Sequence, residues 1–136
     1  MKIDGCCHCG AIAYTAEVNP EDVILCHCTD CQTLSGSAFR TVAFARKSSF
    51  ELREGAPRIY VKTAESGRAR EQSFCATCGT PIYSSPVPAD YGEDDPLIGL
   101  RVGSIEQRDA LPPKAQTWCA SAQSWTDEIG GLKKLS

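Results

Sequence analysis

Short segments of alternating hydrophobic and polar residues recur along the chain, with turn residues between them. Every second residue from Ile12 to Val18 can face a core, which is typical of a strand with one buried side. The same pattern predicts seven further short strands, at residues 23–25, 38–46, 50–53, 59–62, 68–74, 82–84 and 97–102. No long segment has a 3.6-residue period, so the chain is predicted to be mainly β, with a few short helical turns.

The segments between these strands carry clear turn signals. Thr29 or Asp30 is expected to cap one short helical turn that ends at Gly36. Residues 85–96 are rich in proline and acidic residues, and we expect them to form an exposed loop. No repeat divides the sequence, so a single domain over residues 1–136 is the simplest prediction, with its motifs between about residues 5 and 125.

The charge distribution argues against a nucleic-acid partner, and the length of the apolar runs argues against a membrane partner. The formal net charge is -3 and no stretch is rich in lysine or arginine, so a nucleic-acid partner is not expected. The apolar runs are too short for a membrane helix, and the first five residues lack the apolar core of a signal peptide. We therefore expect a cytoplasmic protein with no membrane partner, and its oligomeric state is not readable from the sequence.

The cysteines change this ordinary picture. There are nine, an odd number that rules out complete pairing as disulfides, and in a cytoplasmic protein metal ligands or reactive thiols are the more common use. Eight of them fall in three short clusters: Cys6, Cys7 and Cys9; Cys26, Cys28 and Cys31; and Cys75 and Cys78. Thiolates spaced this closely suit a soft or borderline metal ion, with zinc the first candidate.

Spacing alone allows two partitions of these ligands. One joins Cys7 and Cys9 to Cys26 and Cys28, and leaves Cys31 with Cys75 and Cys78. The other joins Cys7 and Cys9 to Cys75 and Cys78, and keeps the triplet together. We favour the second, because Cys31 is within the normal reach of the Cys28 turn and because two distant pairs make a closed four-ligand site. The triplet then has an open position, which favours chemistry there.

Other interpretations of these residues remain open. Cys75 and Cys78 could form a redox dithiol, although no thioredoxin-like βαβ pattern surrounds them. A single four-sulfur site with unrelated core cysteines is another alternative. Cys6 and Cys119 are expected not to be ligands. His8 and His27 each lie between two candidate ligands, and we expect both to face away from the metal because successive side chains of an extended segment alternate.

Three motifs together resemble the glutathione-dependent formaldehyde-activating enzyme family, which includes centromere protein V. They are Gly5-Cys6-Cys7-His8-Cys9-Gly10, then Cys26-His27-Cys28-Thr29-Asp30-Cys31, and Phe74-Cys75-Ala76-Thr77-Cys78-Gly79. The resemblance implies packed antiparallel sheets around two zinc ions per chain. It implies a structural zinc on Cys7, Cys9, Cys75 and Cys78, and a catalytic zinc on Cys26, Cys28 and Cys31. Cys6 departs from the family pattern, in which a small serine-like residue is common.

The resemblance also implies a carbon–sulfur lyase that reversibly joins glutathione and formaldehyde as S-hydroxymethylglutathione. Two alternatives are a lyase of the same fold acting on another small thiol adduct, and a non-enzymatic zinc module that binds a protein. The substrate-binding residues are not identified by the sequence. Five arginines are candidate partners for a substrate carboxylate, although each is expected to be a solvated surface charge: Arg40, Arg46, Arg68, Arg70 and Arg101.

Overall fold

The computed structural model describes residues 1–136 and contains two β-sheets. Three strands form the smaller sheet, in the order β1-β2-β5, and seven form the larger one, in the order β10-β3-β4-β9-β8-β7-β6. The strands are β1 (Lys2–Cys6), β2 (Ala13–Glu17), β3 (Ile24–Cys26), β4 (Arg40–Arg46), β5 (Glu51–Glu54), β6 (Arg58–Thr63), β7 (Ala69–Phe74), β8 (Pro81–Pro86), β9 (Leu97–Arg101) and β10 (Ala115–Thr117).

The mainly β prediction is confirmed, and each predicted strand overlaps an observed one. The hairpin predicted between residues 59–62 and 68–74 is the antiparallel pair of β6 and β7. All strand pairs are antiparallel except β10 with β3, which are parallel. The pattern predicted neither the three-residue strand β10 nor β1, in which only Ile3 and Gly5 are buried. Gly5 is required there because the ring of Tyr14 occupies the space that a Cβ atom would fill.

Two short α-helices interrupt the strands. Helix α1 (Thr29–Ser35) ends at Gly36, as predicted, with the glycine in the left-handed conformation that glycine adopts without steric cost. Helix α2 (Pro88–Tyr91) lies within residues 85–96, and β8 extends to Pro86 with Ser85 fully buried. The prediction of an exposed loop is therefore wrong for residues 85 and 86, which continue β8. Residues 88–90 are exposed as predicted, but Pro88 starts a helical turn that the proline count concealed.

The hydrophobic core lies between the two sheets. It contains residues of the smaller sheet, such as Ile3 and Tyr14, and residues of the larger one, such as Ile98 and Leu100. Cys7 and Cys75 belong to the same buried cluster. One cysteine of the first motif and one cysteine of the last motif therefore lie where the two sheets meet. No helix of the structure is both long and apolar enough to cross a membrane.

Candidate metal centres

Four cysteines from distant parts of the chain meet at the first sulfur cluster. Cys7 and Cys9 follow β1, and Cys75 and Cys78 follow β7; their four sulfur atoms all lie within 4.8 Å of one another. The Sγ atom of Cys9 is 3.6 Å from that of Cys7 and 3.8 Å from that of Cys75. Cys7 and Cys75 are each 2% exposed, whereas Cys9 and Cys78 face solvent. The cluster therefore has one buried side and one exposed side.

Two similar turns carry these four sulfurs. Each turn ends in a glycine with positive φ, Gly10 at 80° and Gly79 at 78°. The Gly10 amide donates to the carbonyl of Cys7, and the Gly79 amide donates to that of Cys75. The two turns are joined by a hydrogen bond of 3.0 Å from the His8 amide to Thr80 Oγ1. Glycine permits this backbone, so the sequence determines locally how the sulfurs converge.

Backbone amides also point at the sulfurs of this cluster. The Ile12 amide donates to Cys7 Sγ at 3.2 Å. Hydrogen bonding from Thr80 lowers the pKa of Cys78 to about 5. A hydrogen bond from the Ala11 backbone acts to lower the pKa of Cys9, but the neighbouring thiols, Cys7 first, together with burial outweigh it and raise that pKa to about 11. Without a cation, four sulfurs this close share protons instead of all ionising. A bound cation of soft or borderline character would permit all four to be thiolates.

The second sulfur cluster lies at the start of α1. Cys26 ends β3, Cys28 precedes the helix and Cys31 lies in its first turn, with the three sulfur atoms within 4.8 Å of one another. Cys28 is the N-cap, and its sulfur accepts a hydrogen bond of 3.3 Å from the Cys31 amide. The prediction that Thr29 or Asp30 caps this helix is therefore wrong. A cysteine fills the capping position, because its sulfur faces both the helix end and the cluster.

The proton is unequally shared in this cluster as well. A hydrogen bond from the Cys31 thiol, stronger than the opposing effect of burial, lowers the pKa of Cys26 to about 5. The same contact raises the pKa of Cys31. The sulfurs thus fall into the two groups of the favoured partition, one of four and one of three, and both donor sets have the softness that zinc accepts.

The residues around the triplet fasten it to the C-terminal segment. His27 is buried, and its Nε2 atom lies 2.8 Å from Gln116 Oε1 on β10. Gln32 Nε2 donates to the carbonyl oxygens of His27 and Ser121, at 2.8 and 2.9 Å. The His27 ring therefore has a partner other than the sulfur cluster. Gln32 was among the residues adjacent to the triplet in the sequence, but its role in joining two distant segments could not be read from that position.

A cavity of about 320 Å³ opens beside the three-cysteine cluster. All three cysteines line it, together with Arg40, Arg70, Gln72, Gly99, Arg101 and Trp118. Trp118 is 60% exposed and is the one non-glycine residue with positive φ, at 57°, a conformation that costs a bulky residue energy and is often kept at functional sites. Lys62 and Asp30 also line the cavity and pair at 2.7 Å.

Two of the arginines expected on the surface are in fact buried. Arg40 is 6% exposed and Arg101 is 8% exposed, while Arg70 is half-buried. Burial, followed by the charge of Arg40, lowers the pKa of Arg101 to about 9, so Arg101 stays protonated at neutral pH. The surface-charge prediction is wrong for Arg40 and Arg101. A signal was present, because Arg101 directly ends the buried strand Leu97–Arg101 and Arg40 lies on the same face of β4 as Val42.

Comparisons with known proteins agree with these features. Residues 2–121 match the family described as glutathione-dependent formaldehyde-activating enzyme. A protein of Schizosaccharomyces pombe named as an uncharacterized lyase is 32% identical over 82 residues, which are 60% of this chain and 56% of that protein. The match thus spans little more than half of the curated relative.

A solved structure shows the same fold. The crystal structure of a Rhodobacter sphaeroides protein superposes with a TM-score of 0.60 and covers 86% of this chain and all of that one, at 24% sequence identity. At this identity the likeness concerns the arrangement of the strands alone.

Proposed function

The chain belongs to the glutathione-dependent formaldehyde-activating enzyme family, and on that premise we propose that it is a zinc-dependent carbon–sulfur lyase. Its proposed substrate is the adduct of glutathione and formaldehyde, S-hydroxymethylglutathione. The observation that carries the proposal is the position of the three-cysteine cluster on the wall of the cavity. The lyase name of the yeast relative supports an enzymatic role, and that role is assigned to this chain as a proposal.

The two sulfur clusters have different proposed roles. Cys7, Cys9, Cys75 and Cys78 would hold a structural zinc, since four thiolates complete a closed tetrahedral site. Cys26, Cys28 and Cys31 would hold a second zinc and leave one position for a ligand from the cavity. When bound there, zinc supplies a positive charge that favours the thiolate form of a substrate thiol.

The chemistry requires a balanced exchange of protons. In the joining direction the glutathione sulfur loses its proton and forms a bond to the carbonyl carbon of formaldehyde, while the carbonyl oxygen gains a proton. In the lyase direction the carbon–sulfur bond breaks, the hydroxyl oxygen gives up its proton as the carbonyl re-forms, and the sulfur regains a proton. The three cysteines of this chain remain ligands throughout and do not attack the substrate.

Other residues of the chain position the site. Gln32 holds the backbone of His27 and Ser121, so that the triplet and the C-terminal wall of the cavity keep one arrangement. Lys62 and Asp30 neutralise each other at the cavity wall, and Trp118 supplies an apolar surface there. Together they leave a partly enclosed space for a small thiol adduct.

The proposal is tested by exchange spectroscopy. Zinc-loaded protein is mixed with glutathione and formaldehyde, and NMR exchange measures the rate of adduct formation and breakdown against buffer alone. We expect acceleration by the unmodified chain and by Cys119→Ser, whose exposed thiol lies outside both clusters. Cys31→Ser should lose the acceleration. A rate equal to that of buffer would refute the proposed substrate, and a Cys31→Ser protein that keeps full activity would refute the role of the triplet.

A further inference from the structure

Arg40 and Arg101 are two buried cations without an acidic partner. Both donate to the same oxygen, Gln72 Oε1, at 3.4 Å from Arg40 Nη1 and 2.9 Å from Arg101 Nη2. The three ion pairs of the structure, Arg53–Glu51, Lys62–Asp30 and Lys114–Glu21, involve neither of them. The Nε atom of Arg40 is buried and has no hydrogen-bond partner at all.

Hydrogen bonds within the chain use only part of the donor capacity of these two guanidinium groups. A guanidinium has five N–H donors and no acceptor, and a neutral amide oxygen shared between two of them meets only a small part of that capacity. Buried charges in proteins are normally paired or fully hydrogen-bonded. No carboxylate of this chain supplies the negative charge that would pair with these two cations.

The strand register places these cations beside the sulfur triplet. Arg40 on β4 is directly opposite Cys26 on β3, and Val42, on the same face as Arg40, is opposite Arg101 on β9. Opposite residues of an antiparallel pair project to the same face of the sheet. Arg70 reaches this wall from β7, where its Nη2 atom donates to Ser84 Oγ at 3.2 Å.

Open space is kept in front of the cations by a glycine. Gly99 lines the cavity floor, and a Cβ atom there would lie 2.9 Å from Val42 Cγ1 and 3.6 Å from Arg101 Nη1. A side chain at this position would therefore narrow the approach to Arg101. A second cavity of about 320 Å³ is lined by Arg40, Gln72 and Arg101 as well, and its wall also contains Tyr60 and Tyr83. The two arginines are therefore accessible from both cavities.

The sulfur triplet does not account for all of this charge. Three thiolates around a divalent cation retain one negative charge, whereas Arg40 and Arg101 contribute two positive charges, and Arg70 adds a third at the same wall. The Lys62–Asp30 pair adds none, and Glu65, which also lines the cavity, is exposed and lies beyond ion-pair distance of these arginines. Arg40 and Arg101 alone leave one positive charge, which a bound substrate thiolate would balance. Arg70, which lines the same cavity, leaves a second positive charge for a carboxylate.

We propose that Arg40 and Arg101 form an anion subsite that binds a carboxylate of the thiol substrate, while the substrate sulfur lies at the three-cysteine cluster. This inference rests on the proposed function in one respect, the location of the substrate thiol. It adds which residues recognise a carboxylate of that thiol, namely the two-guanidinium arrangement of Arg40 and Arg101. A planar carboxylate can accept from both guanidinium groups in place of the shared amide oxygen.

The experiment compares two small thiols that differ in charge and by one methyl group. The zinc-loaded full chain is titrated calorimetrically with 3-mercaptopropionate and with its methyl ester, which keeps the thiol and lacks the negative charge. We expect the acid to bind at least tenfold more tightly than the ester, about 1.4 kcal/mol. Equal dissociation constants for the two probes, or no detectable binding of either, would overturn the anion subsite.

Variants then assign the difference to the arginines. Arg101→Met should bind the acid and the ester equally, and Arg101→Lys should recover part of the preference because it keeps the charge but loses the planar fork. Arg58→Gln is the control, since Arg58 is exposed on β6 and lines neither cavity; it should keep the full preference. A tenfold preference that survives in Arg101→Met would overturn the assignment. The comparison of probes on the unmodified chain needs no variant to fold.

The outcome is separate from that of the proposed function. Titration involves neither formaldehyde nor turnover, so an inactive protein with a strong preference for the acid would refute the lyase proposal and support the anion subsite. An active protein that binds both probes equally would support the lyase proposal and overturn the anion subsite.

Discussion

Replacement of Cys78 by serine should destabilise the fold about twice as much as replacement of Cys28 by serine. The two cysteines belong to different sulfur clusters, and the clusters join very different lengths of chain. Cys9 and Cys75 lie 66 residues apart in sequence, with their sulfurs 3.8 Å apart. A metal that links them closes a long loop, whereas the triplet spans only the end of β3 and the first turn of α1.

The magnitude follows from the length of the closed loop. By the chain-entropy relation for cross-links, closing a loop of this length raises the free energy of the unfolded chain by about 4 kcal/mol. The same relation gives about 2 kcal/mol for the local triplet. The free energy of unfolding of a typical domain is about 5–15 kcal/mol. Because Cys7 and Cys75 are both part of the core between the sheets, loss of the link also loosens the packing around them.

Cys28→Ser is a clean comparison because serine is itself a good helix N-cap. The helix should therefore keep its first turn while the triplet loses one thiolate. We expect Cys78→Ser to lower the Tm of the zinc-loaded protein by at least about 10 °C, or to prevent its recovery in folded form. By the same relation Cys28→Ser should lower the Tm by about half as much.

The assay is thermal unfolding followed by circular dichroism, with zinc content measured on the same samples. Cys119→Ser is the matched control, as an exposed cysteine outside both clusters, and its Tm should equal that of the unmodified chain. Equal destabilisation by Cys78→Ser and Cys28→Ser would refute the division between a structural and a reactive cluster.

Three further predictions concern single contacts. Cys28→Ala, unlike Cys28→Ser, removes the N-cap of α1 and should lower the free energy of unfolding by about a further 1 kcal/mol, measured by urea unfolding; equal values for the two variants would contradict the capping role. Gly79→Ala introduces a Cβ atom at a φ of 78° and should destabilise by about 1–2 kcal/mol, whereas Gly130→Ala, in the exposed tail, is the control that should change little. Gln32→Ala removes the hydrogen bonds to His27 and Ser121 and should speed amide hydrogen exchange in residues 116–123; unchanged exchange there would show that Gln32 does not hold this segment.

The period-2 pattern was sufficient for most of the strands, because one buried face leaves a direct trace in the sequence. It failed for β1, where Gly5 is buried under the Tyr14 ring and no hydrophobic side chain marks the position. It also failed to indicate the parallel pairing of β10 with β3, since pairing across a long separation depends on the tertiary structure.

The candidate site was only partly readable for a similar reason. The cysteine clusters are visible in the sequence because their ligands recur at short spacing. The pairing of Cys7 with Cys75 followed once a closed four-ligand site was assumed. The burial of Arg40 and Arg101 was not predicted, although each lies in line with the buried residues of its own strand. Their proximity could not be predicted, because they come from separate strands that only the register brings to one wall. The capping by Cys28 was likewise missed, since sulfur is a less usual cap than the oxygen of Thr29 or Asp30.

The most direct test of two unlike metal centres is the zinc content per chain, measured by mass spectrometry on the unmodified protein and on Cys28→Ser. We predict two zinc ions per unmodified chain, and one per chain in a folded Cys28→Ser protein that retains the four-sulfur centre. One zinc in the unmodified protein, or two in Cys28→Ser, would contradict the account.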